Sequence, residues 1–334
     1  MTIRDSIIRL AGRHDLTEAD AAEAMNEIMT GAATPAQIAA FLTALHLKGE
    51  TAAEIAGMAR VMRDHALEVP VKPGAVDTCG TGGDGAGTFN ISTIAAFVAA
   101  GAGVRIAKHG NRAMSSRCGS ADVLEGLGVN LELEPDDVAA RIDGRSFGFM
   151  FAPRFHPAMR FAGPVRREIG IRTAFNLLGP LTNPARVTRQ VIGTANDTLA
   201  HKLAQALHLL SMDAVMVYAG YGNVDELSLE GENIIYEVGA GKPIQRMLFD
   251  ATTYGLTRAP NTALAGGDLA QNVAIARSIL AGEGTTAQHD VVVLNAAAAI
   301  RASDMQQSWP TAIERARVSI DTGAAHQKLL AAIG

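Results

Sequence analysis

Three groups of residues in this chain have the types and spacing to handle a phosphorylated ligand. The first is the glycine-rich run Asp77-Thr78-Cys79-Gly80-Thr81-Gly82-Gly83-Asp84-Gly85-Ala86-Gly87-Thr88, continued by Asn90-Ile91-Ser92-Thr93. Without side chains, glycines let several main-chain N–H groups converge on one anion. Thr88, Asn90, Ser92 and Thr93 add hydroxyl and amide donors, and a helix starting there adds partial positive charge. No Gly-Lys-Ser/Thr closes the run, so it is not a Walker A loop, and GxGxxG is absent in its proper frame. The second group is Lys108-His109-Gly110-Asn111-Arg112 with Ala113, Met114, Ser115, Ser116 and Ser120 after it. It supplies two localised cations and several hydroxyls. The third is Asp225-Glu226, behind Tyr218-Ala219-Gly220-Tyr221-Gly222-Asn223-Val224. Adjacent carboxylates on such a loop suit Mg2+, which takes one or two carboxylates and completes its shell with phosphates and water. No Cys/His spacing fits zinc.

The elements that must position these groups follow from periodicity. Residues 1–67 read as successive short helices. Thr17 with Asp20, Thr34-Pro35 and Thr51 with Glu54 are helix starts, and Gly31 and Gly49 are stops. From Pro70 onward, short β-type runs alternate with helices. The runs are Ala75–Thr78, Val104–Ala107, Phe147–Phe151, Gln190–Gly193 and Ala214–Tyr218. Helices are expected near Thr93–Ala102 and Ser120–Gly126, from Pro135, and over about Asp197–Leu210. The pattern predicts an α/β protein, with a small N-terminal helical domain and a larger α/β domain around a largely parallel sheet. Residues 1–70 are assigned to the helical domain and 71–334 to the α/β domain. Both phosphate-competent loops then follow strands of one sheet, on the edge where open α/β sheets bind ligands. Ala296–Ala299 reads as part of a buried helix.

Composition excludes other classes. The 334 residues are 48% hydrophobic and 19% charged, which is too apolar for a disordered chain. The net charge is −5, from 29 basic and 34 acidic residues, so the basic excess of a nucleic-acid binder is missing. Aromatics, at 4%, are too few for a single-strand stacking platform. Cys79 and Cys118 form no disulfide framework and fit a reducing compartment. No signal peptide and no apolar run of membrane-spanning length is evident, so a cytoplasmic protein with no membrane partner is expected.

Taken together, these motifs resemble the anthranilate phosphoribosyltransferase family along nearly the whole chain. The resemblance is carried by Thr34–Phe41, Lys48-Gly49-Glu50-Thr51, Gly80–Asp84, Asn90–Thr93, Lys108–Arg112, Gly119–Asp122, Arg172-Thr173, Phe175-Asn176, Leu178–Pro184 and Asp225-Glu226. It implies transfer of the phosphoribosyl group of 5-phosphoribosyl 1-diphosphate to anthranilate in tryptophan biosynthesis. It further implies a homodimer through the helical part, with segment 163–184 returning to that part. Carried over by residue, Gly80, Gly83, Asp84, Thr88, Asn90, Ile91, Ser92 and Thr93 would hold the diphosphate end. Lys108, His109, Gly110, Asn111, Arg112, Ala113, Met114, Ser115, Ser116 and Ser120 would complete that site. Gly80, His109, Asn111, Arg166 and Pro180 would line the anthranilate path, with Arg166 preferred over Arg167 for the carboxylate. Ser92, Asp225 and Glu226 would arrange two Mg2+ ions. No dedicated acid or base is implied, because an arylamine is already nucleophilic. The fold is shared with pyrimidine nucleoside phosphorylases, which need no paired metal carboxylates.

Overall fold

The structure is a computed structural model that describes residues 1–113 and 117–334. It opens with four helices: α1 (Ile3–Ala11), α2 (Glu18–Thr30), α3 (Pro35–Lys48) and α4 (Ala52–Asp64). Each begins the same way. The hydroxyls of Thr2, Thr17, Thr34 and Thr51 accept the N–H of the third helical residue, respectively Asp5, Asp20, Gln37 and Glu54. Each such cap stabilises its helix by about 1 kcal/mol.

The chain then alternates β1 (Val76–Gly80), α5 (Ile91–Gly101), β2 (Ile106–Gly110), α6 (Ser120–Leu127), α7 (Pro135–Arg145) and β3 (Phe147–Phe151). Short α8 (Ala152–Phe155), α9 (Met159–Ile169) and α10 (Phe175–Leu178) lead to β4 (Arg189–Thr194), α11 (Asp197–Leu209) and β5 (Ala214–Ala219). Two further strands, β6 (Asn233–Gly239) and β7 (Gln245–Phe249), precede α12 (Leu269–Leu280), α13 (Thr286–Ser303), α14 (Trp309–Asp321) and α15 (Ala324–Ile333).

One seven-stranded sheet has the order β3-β2-β1-β4-β5-β6-β7. Strands β1 to β5 run parallel, while β6 and β7 are antiparallel additions at one edge. Alternation along the strands splits the core between the two faces. Val191, Met216 and Tyr218 pack with α5, α13, α14 and α15. Ile192, Val215 and Val217 pack with α11 and the N-terminal helices. Ala162 and Val165 of α9, and Phe175 and Leu178 of α10, join that second cluster beside Met25 and Phe41. Helix α13 is buried around its whole circumference, including Ala296–Ala299. Among the described residues no helix is long and apolar enough to cross a membrane.

Two strands differ from their sequence expectation in a way that matters. β1 extends to Gly80 and β2 to Gly110, two and three residues past Thr78 and Ala107. Polar Lys108 and His109 are therefore strand residues, with opposite sides of the sheet available to their side chains. Hydrophobicity alone ends these strands too early, because their last residues serve the site rather than the core.

Candidate active site

The C-terminal ends of β1, β4 and β5 are neighbours in the sheet, and each ends near a glycine. A Cβ on Gly80 would collide with the Asp225 carboxylate. One on Gly193 would collide with the Asp225 carbonyl, and one on Gly220 with the Glu226 carbonyl. The carboxylate pair thus lies directly across three strand ends that carry no side chain at the contact. Its position is reinforced by hydrogen bonds from the glycine loop. Gly82 N–H donates to Asp225 Oδ2 at 2.7 Å, and Asp225 N–H donates to Asp84 Oδ2 at 3.1 Å. Ser92 N–H, in the first turn of α5, donates to Glu226 Oε1 at 3.0 Å. Ser92, Asp84, Asp225 and Glu226 are therefore one cluster, assembled from segments more than a hundred residues apart in the chain.

The electrostatics of this cluster call for a cation. Burial, then the Asp84 charge, pushes Asp225 up to about 7. Burial, then the Asp225 charge, pushes Glu226 up to about 8. Glu226 Oε2 is buried with no hydrogen-bond partner. Among the described residues no group of three His, Cys, Asp or Glu side chains forms a self-sufficient metal site. Two buried carboxylates with one orphaned oxygen fit a hard cation that also draws oxygens from phosphate. More orphaned atoms sit nearby in the sequence motifs: Thr81 Oγ1, Asn90 Oδ1, Thr93 Oγ1 and Thr173 Oγ1 are buried and unpartnered. A buried polar group is normally hydrogen-bonded, so these atoms stand out as unsatisfied.

Lys108 is 1% exposed. Its ammonium donates to the Thr78 carbonyl, and also reaches Thr78 Oγ1 at 3.3 Å and Ser92 Oγ at 3.4 Å. Burial lowers its pKa, against the opposing charges of Asp77 and Glu226. In this geometry Lys108 ties the end of β1 to Ser92 in the first turn of α5. Arg112 is exposed and forked onto Glu125 at 2.7 and 3.0 Å, with Asp122 at 3.1 Å. Asp122 also accepts the N–H groups of Ala113 and Gly119, so it ties Arg112 and Ala113 to the start of α6. Ser120 Oγ donates to the Asn111 carbonyl at 3.3 Å and meets the face of Gly110. Asn90 precedes α5 and donates through Nδ2 to the Cys118 carbonyl at 3.1 Å. Ile91 and Thr93 are buried in α5. Met114, Ser115 and Ser116 lie outside the described residues.

On the other side of β2, His109 meets His156, Nε2 to Nε2 at 3.2 Å. His109 N–H also donates to Asp77 Oδ1 at 3.1 Å. Gln190 Nε2 joins Asp77 Oδ2 (3.1 Å) to the Pro180 carbonyl (2.6 Å), so β1, β4 and the Gly179–Pro180 turn are locked together. Arg166 is half-buried in α9 with its guanidinium 5.0 Å from the Phe175 ring centre, while Arg167 is exposed. No ion pair involves Arg166 among the described residues, and burial lowers its pKa. A cation parked on an aromatic face with no carboxylate partner is available to an incoming one.

Several participants have no site role in the reading of the sequence. Gly193 and Gly220 complete the seat of the carboxylates. Arg172 donates to the carbonyls of Gly83 (3.2 Å) and Gly82 (3.4 Å). The segment 264–267 pairs with the far end of the glycine loop: Thr88 bridges Ala265, Gly266 N–H donates to the Gly87 carbonyl at 2.8 Å, and Phe89 N–H to the Leu264 carbonyl at 3.0 Å. Gly266 and Gly267 line, with Gly83, Arg117 and Asn272, a cavity of about 360 Å3. Gly266-Gly267 just before the capping residue Asp268 of α12 was the available signal.

Residues 4–66 match the helical bundle domain of the "Glycosyl transferase family", and residues 72–326 match its a/b domain. The chain is 61% identical to the anthranilate phosphoribosyltransferase of Chloroflexus aggregans over 329 residues, 98% of this chain and 97% of that one. The chain belongs to the anthranilate phosphoribosyltransferase family. The crystal structure of the Thermus thermophilus anthranilate phosphoribosyltransferase superposes with a TM-score of 0.92 at 44% identity, covering 98% of both chains. The Saccharomyces cerevisiae anthranilate phosphoribosyltransferase, solved with PRPP (5-phosphoribosyl 1-diphosphate) and Mg, superposes with a TM-score of 0.90 at 28% identity, covering 99% of this chain and 96% of that one. The yeast protein has also been solved with 4-fluoroanthranilate.

The buried imidazoles give a prediction with a definite sign. Burial holds His156 down at about 4, below its ordinary 6.5. The unfolded chain therefore binds the extra proton first, and this contribution to stability is lost as pH falls from 6.5 towards 4. The raised values of Asp225 and Glu226 act oppositely, adding stability as pH falls. Comparison with His156→Gln cancels them. Relative to that variant, the native chain should lose roughly 3 kcal/mol over this range. Urea unfolding at pH 7 and pH 4.5 measures it, and a pH-independent difference between the two proteins contradicts it.

Proposed function

We propose that the chain transfers the phosphoribosyl group of PRPP to the amine nitrogen of anthranilate, giving N-(5-phosphoribosyl)anthranilate and diphosphate in tryptophan biosynthesis. The observation that carries this reading is the seating of Asp225-Glu226 against the glycine loop and the first turn of α5. The full-length relationship to anthranilate phosphoribosyltransferases supports it.

The bond from ribose C1 to the diphosphate oxygen breaks, and the arylamine nitrogen bonds to C1 and releases a proton. The Gly80–Asp84 loop, with Thr88 and Asn90–Thr93, would bind the leaving diphosphate. Ser92, Asp225 and Glu226 would hold Mg2+, which when bound supplies charge neutralisation at the diphosphate. Lys108, held beside Ser92, would help complete the site around the phosphoribosyl group. Arg112 and Ser120, with Ser115 and Ser116, belong to the phosphoribosyl end. Gly80, His109, Asn111 and Pro180 would line the path of the aromatic ring, and Arg166 would fork onto its carboxylate. Orientation and electrostatics then carry the rate, with no strong protein base required. Two Mg2+ ions per subunit, a homodimer through residues 1–70 with 163–184, an α/β part over 71–334 and a cytoplasmic setting complete the reading. The family resemblance supports all four.

Arg166→Ala should raise the anthranilate KM by about ten- to a hundredfold, the ~1.5–3 kcal/mol of a charged hydrogen bond. The KM for PRPP should move less than about twofold. Steady-state kinetics with each substrate varied separately tests this. A change confined to PRPP would move Arg166 out of the acceptor site.

A further inference from the structure

Arg172 makes a contact that the proposed transfer does not use. It lies in the short link between α9 and α10, is exposed, and among the described residues pairs with no carboxylate. Its guanidinium is spent on two consecutive main-chain carbonyls. Nη1 donates to Gly83 at 3.2 Å and Nη2 to Gly82 at 3.4 Å. It sits so close that a Cβ on Gly83 would strike Nη1. Both glycines have left-handed backbone, with φ of 68° and 71°. Successive residues of helical twist turn their carbonyls the same way, so the pair suits one planar fork.

Gly82 is thereby held at both ends. Its N–H donates to Asp225 Oδ2 at 2.7 Å and its carbonyl accepts from Arg172. The base of Arg172 is itself fixed. Thr173 is buried, its N–H donates to Asn176 Oδ1 at 3.0 Å, and Asn176 N–H returns to the Thr173 carbonyl at 2.9 Å. Phe175, whose ring carries the Arg166 guanidinium, belongs to the same turn. The segment that presents Arg166 therefore also grips the glycine loop.

Glycine enters many backbone conformations, so a loop rich in it keeps one shape only where outside contacts hold it. Ordering that has already occurred is not charged to ligand binding. A carbonyl oxygen is an acceptor, the wrong polarity for an anion. Bonded to Arg172, the two carbonyls are committed away from one.

We infer that Arg172 is a positioning residue for the diphosphate: it locks Gly82 and Gly83 in their left-handed turn and so prepares the loop before PRPP arrives. This rests on the reading of Gly80–Asp84 as the diphosphate loop.

Two experiments test it. In the unliganded chain, the Gly82 amide should exchange its hydrogen about tenfold faster in Arg172→Ala than in the wild type. The Ile192 amide, in the middle of β4, should exchange at an unchanged rate. Unchanged exchange at Gly82, or equal acceleration at both amides, would overturn the positioning role without reference to any ligand. In calorimetric titration with PRPP and Mg2+ and no anthranilate, Arg172→Ala should weaken PRPP binding about tenfold, with Tm within about 2 °C of the wild type. Arg172→Lys, which can still donate to a carbonyl, should recover most of the loss. Unchanged affinity, equal weakening by Ala and Lys, or weakening without faster exchange at Gly82 would overturn the inference. A wild-type chain that binds no PRPP would instead overturn the proposed function, and the exchange rates would still decide the loop contact.

Discussion

Asp225→Asn combined with Glu226→Gln should lower Mg2+-supported turnover by a hundredfold or more, at least ~2.7 kcal/mol of transition-state stabilisation. The same double variant should be more stable than the native chain when divalent cations are chelated. Both effects have one cause. The two carboxylates are buried, raised towards neutrality by burial and by negative neighbours, and one oxygen of Glu226 has no partner. Holding them together without a counter-ion costs folding free energy. The amides keep the shape and still accept the N–H groups of Gly82 and Ser92. They remove only the negative charge. A purely structural carboxylate pair would lose stability on amidation, so opposite signs for activity and stability separate the two roles. Thermal unfolding in chelator and a Mg2+ titration of turnover provide both readings. Unchanged Mg2+ dependence would remove the metal-holding role.

Gly193→Ala should be nearly as damaging for a different reason. The added Cβ would occupy the space of the Asp225 carbonyl, which is main chain and has no flexible end to move. The 220–226 loop must then lift from the sheet edge, taking both carboxylates with it. A misplacement of about 1 Å costs on the order of a hundredfold in rate. The expected result is that loss in kcat/KM for PRPP together with a lower Tm. Gly144→Ala is the control. Its Cβ would meet nothing within 4 Å, in helix α7, so it should leave activity unchanged and stability equal or higher by about 0.5–1 kcal/mol. Full activity in Gly193→Ala would show that the loop's seat is not needed.

The sequence was most readable where local chemistry decides the conformation. Thr-x-x-Asp and Thr-x-x-Glu patterns and the Thr-Pro pair mark helix starts because the hydroxyl and the third N–H are neighbours in any helix and proline suits the first helical position. The glycine loop and the carboxylate pair were readable as chemistry because their residue types are unusual together. What the sequence left hidden depends on distant contacts. Nothing near Gly193 announces that Asp225 will rest on it, since that contact is created by strand order. Lys108 is readable as a cation, but its burial on β2 against Thr78 and Ser92 is not. The 47-residue separation of His109 and His156 likewise carried no local signal. Antiparallel β6 and β7 were not anticipated individually. β7 is exposed along most of its length, so it lacks the hydrophobic run by which the parallel strands are recognised.

Purified chain, incubated with PRPP and Mg2+, should convert anthranilate to N-(5-phosphoribosyl)anthranilate with release of one diphosphate per product. Thymidine or uridine with inorganic phosphate should yield nothing. No consumption of anthranilate under these conditions, with phosphorolysis of either nucleoside instead, would contradict the account.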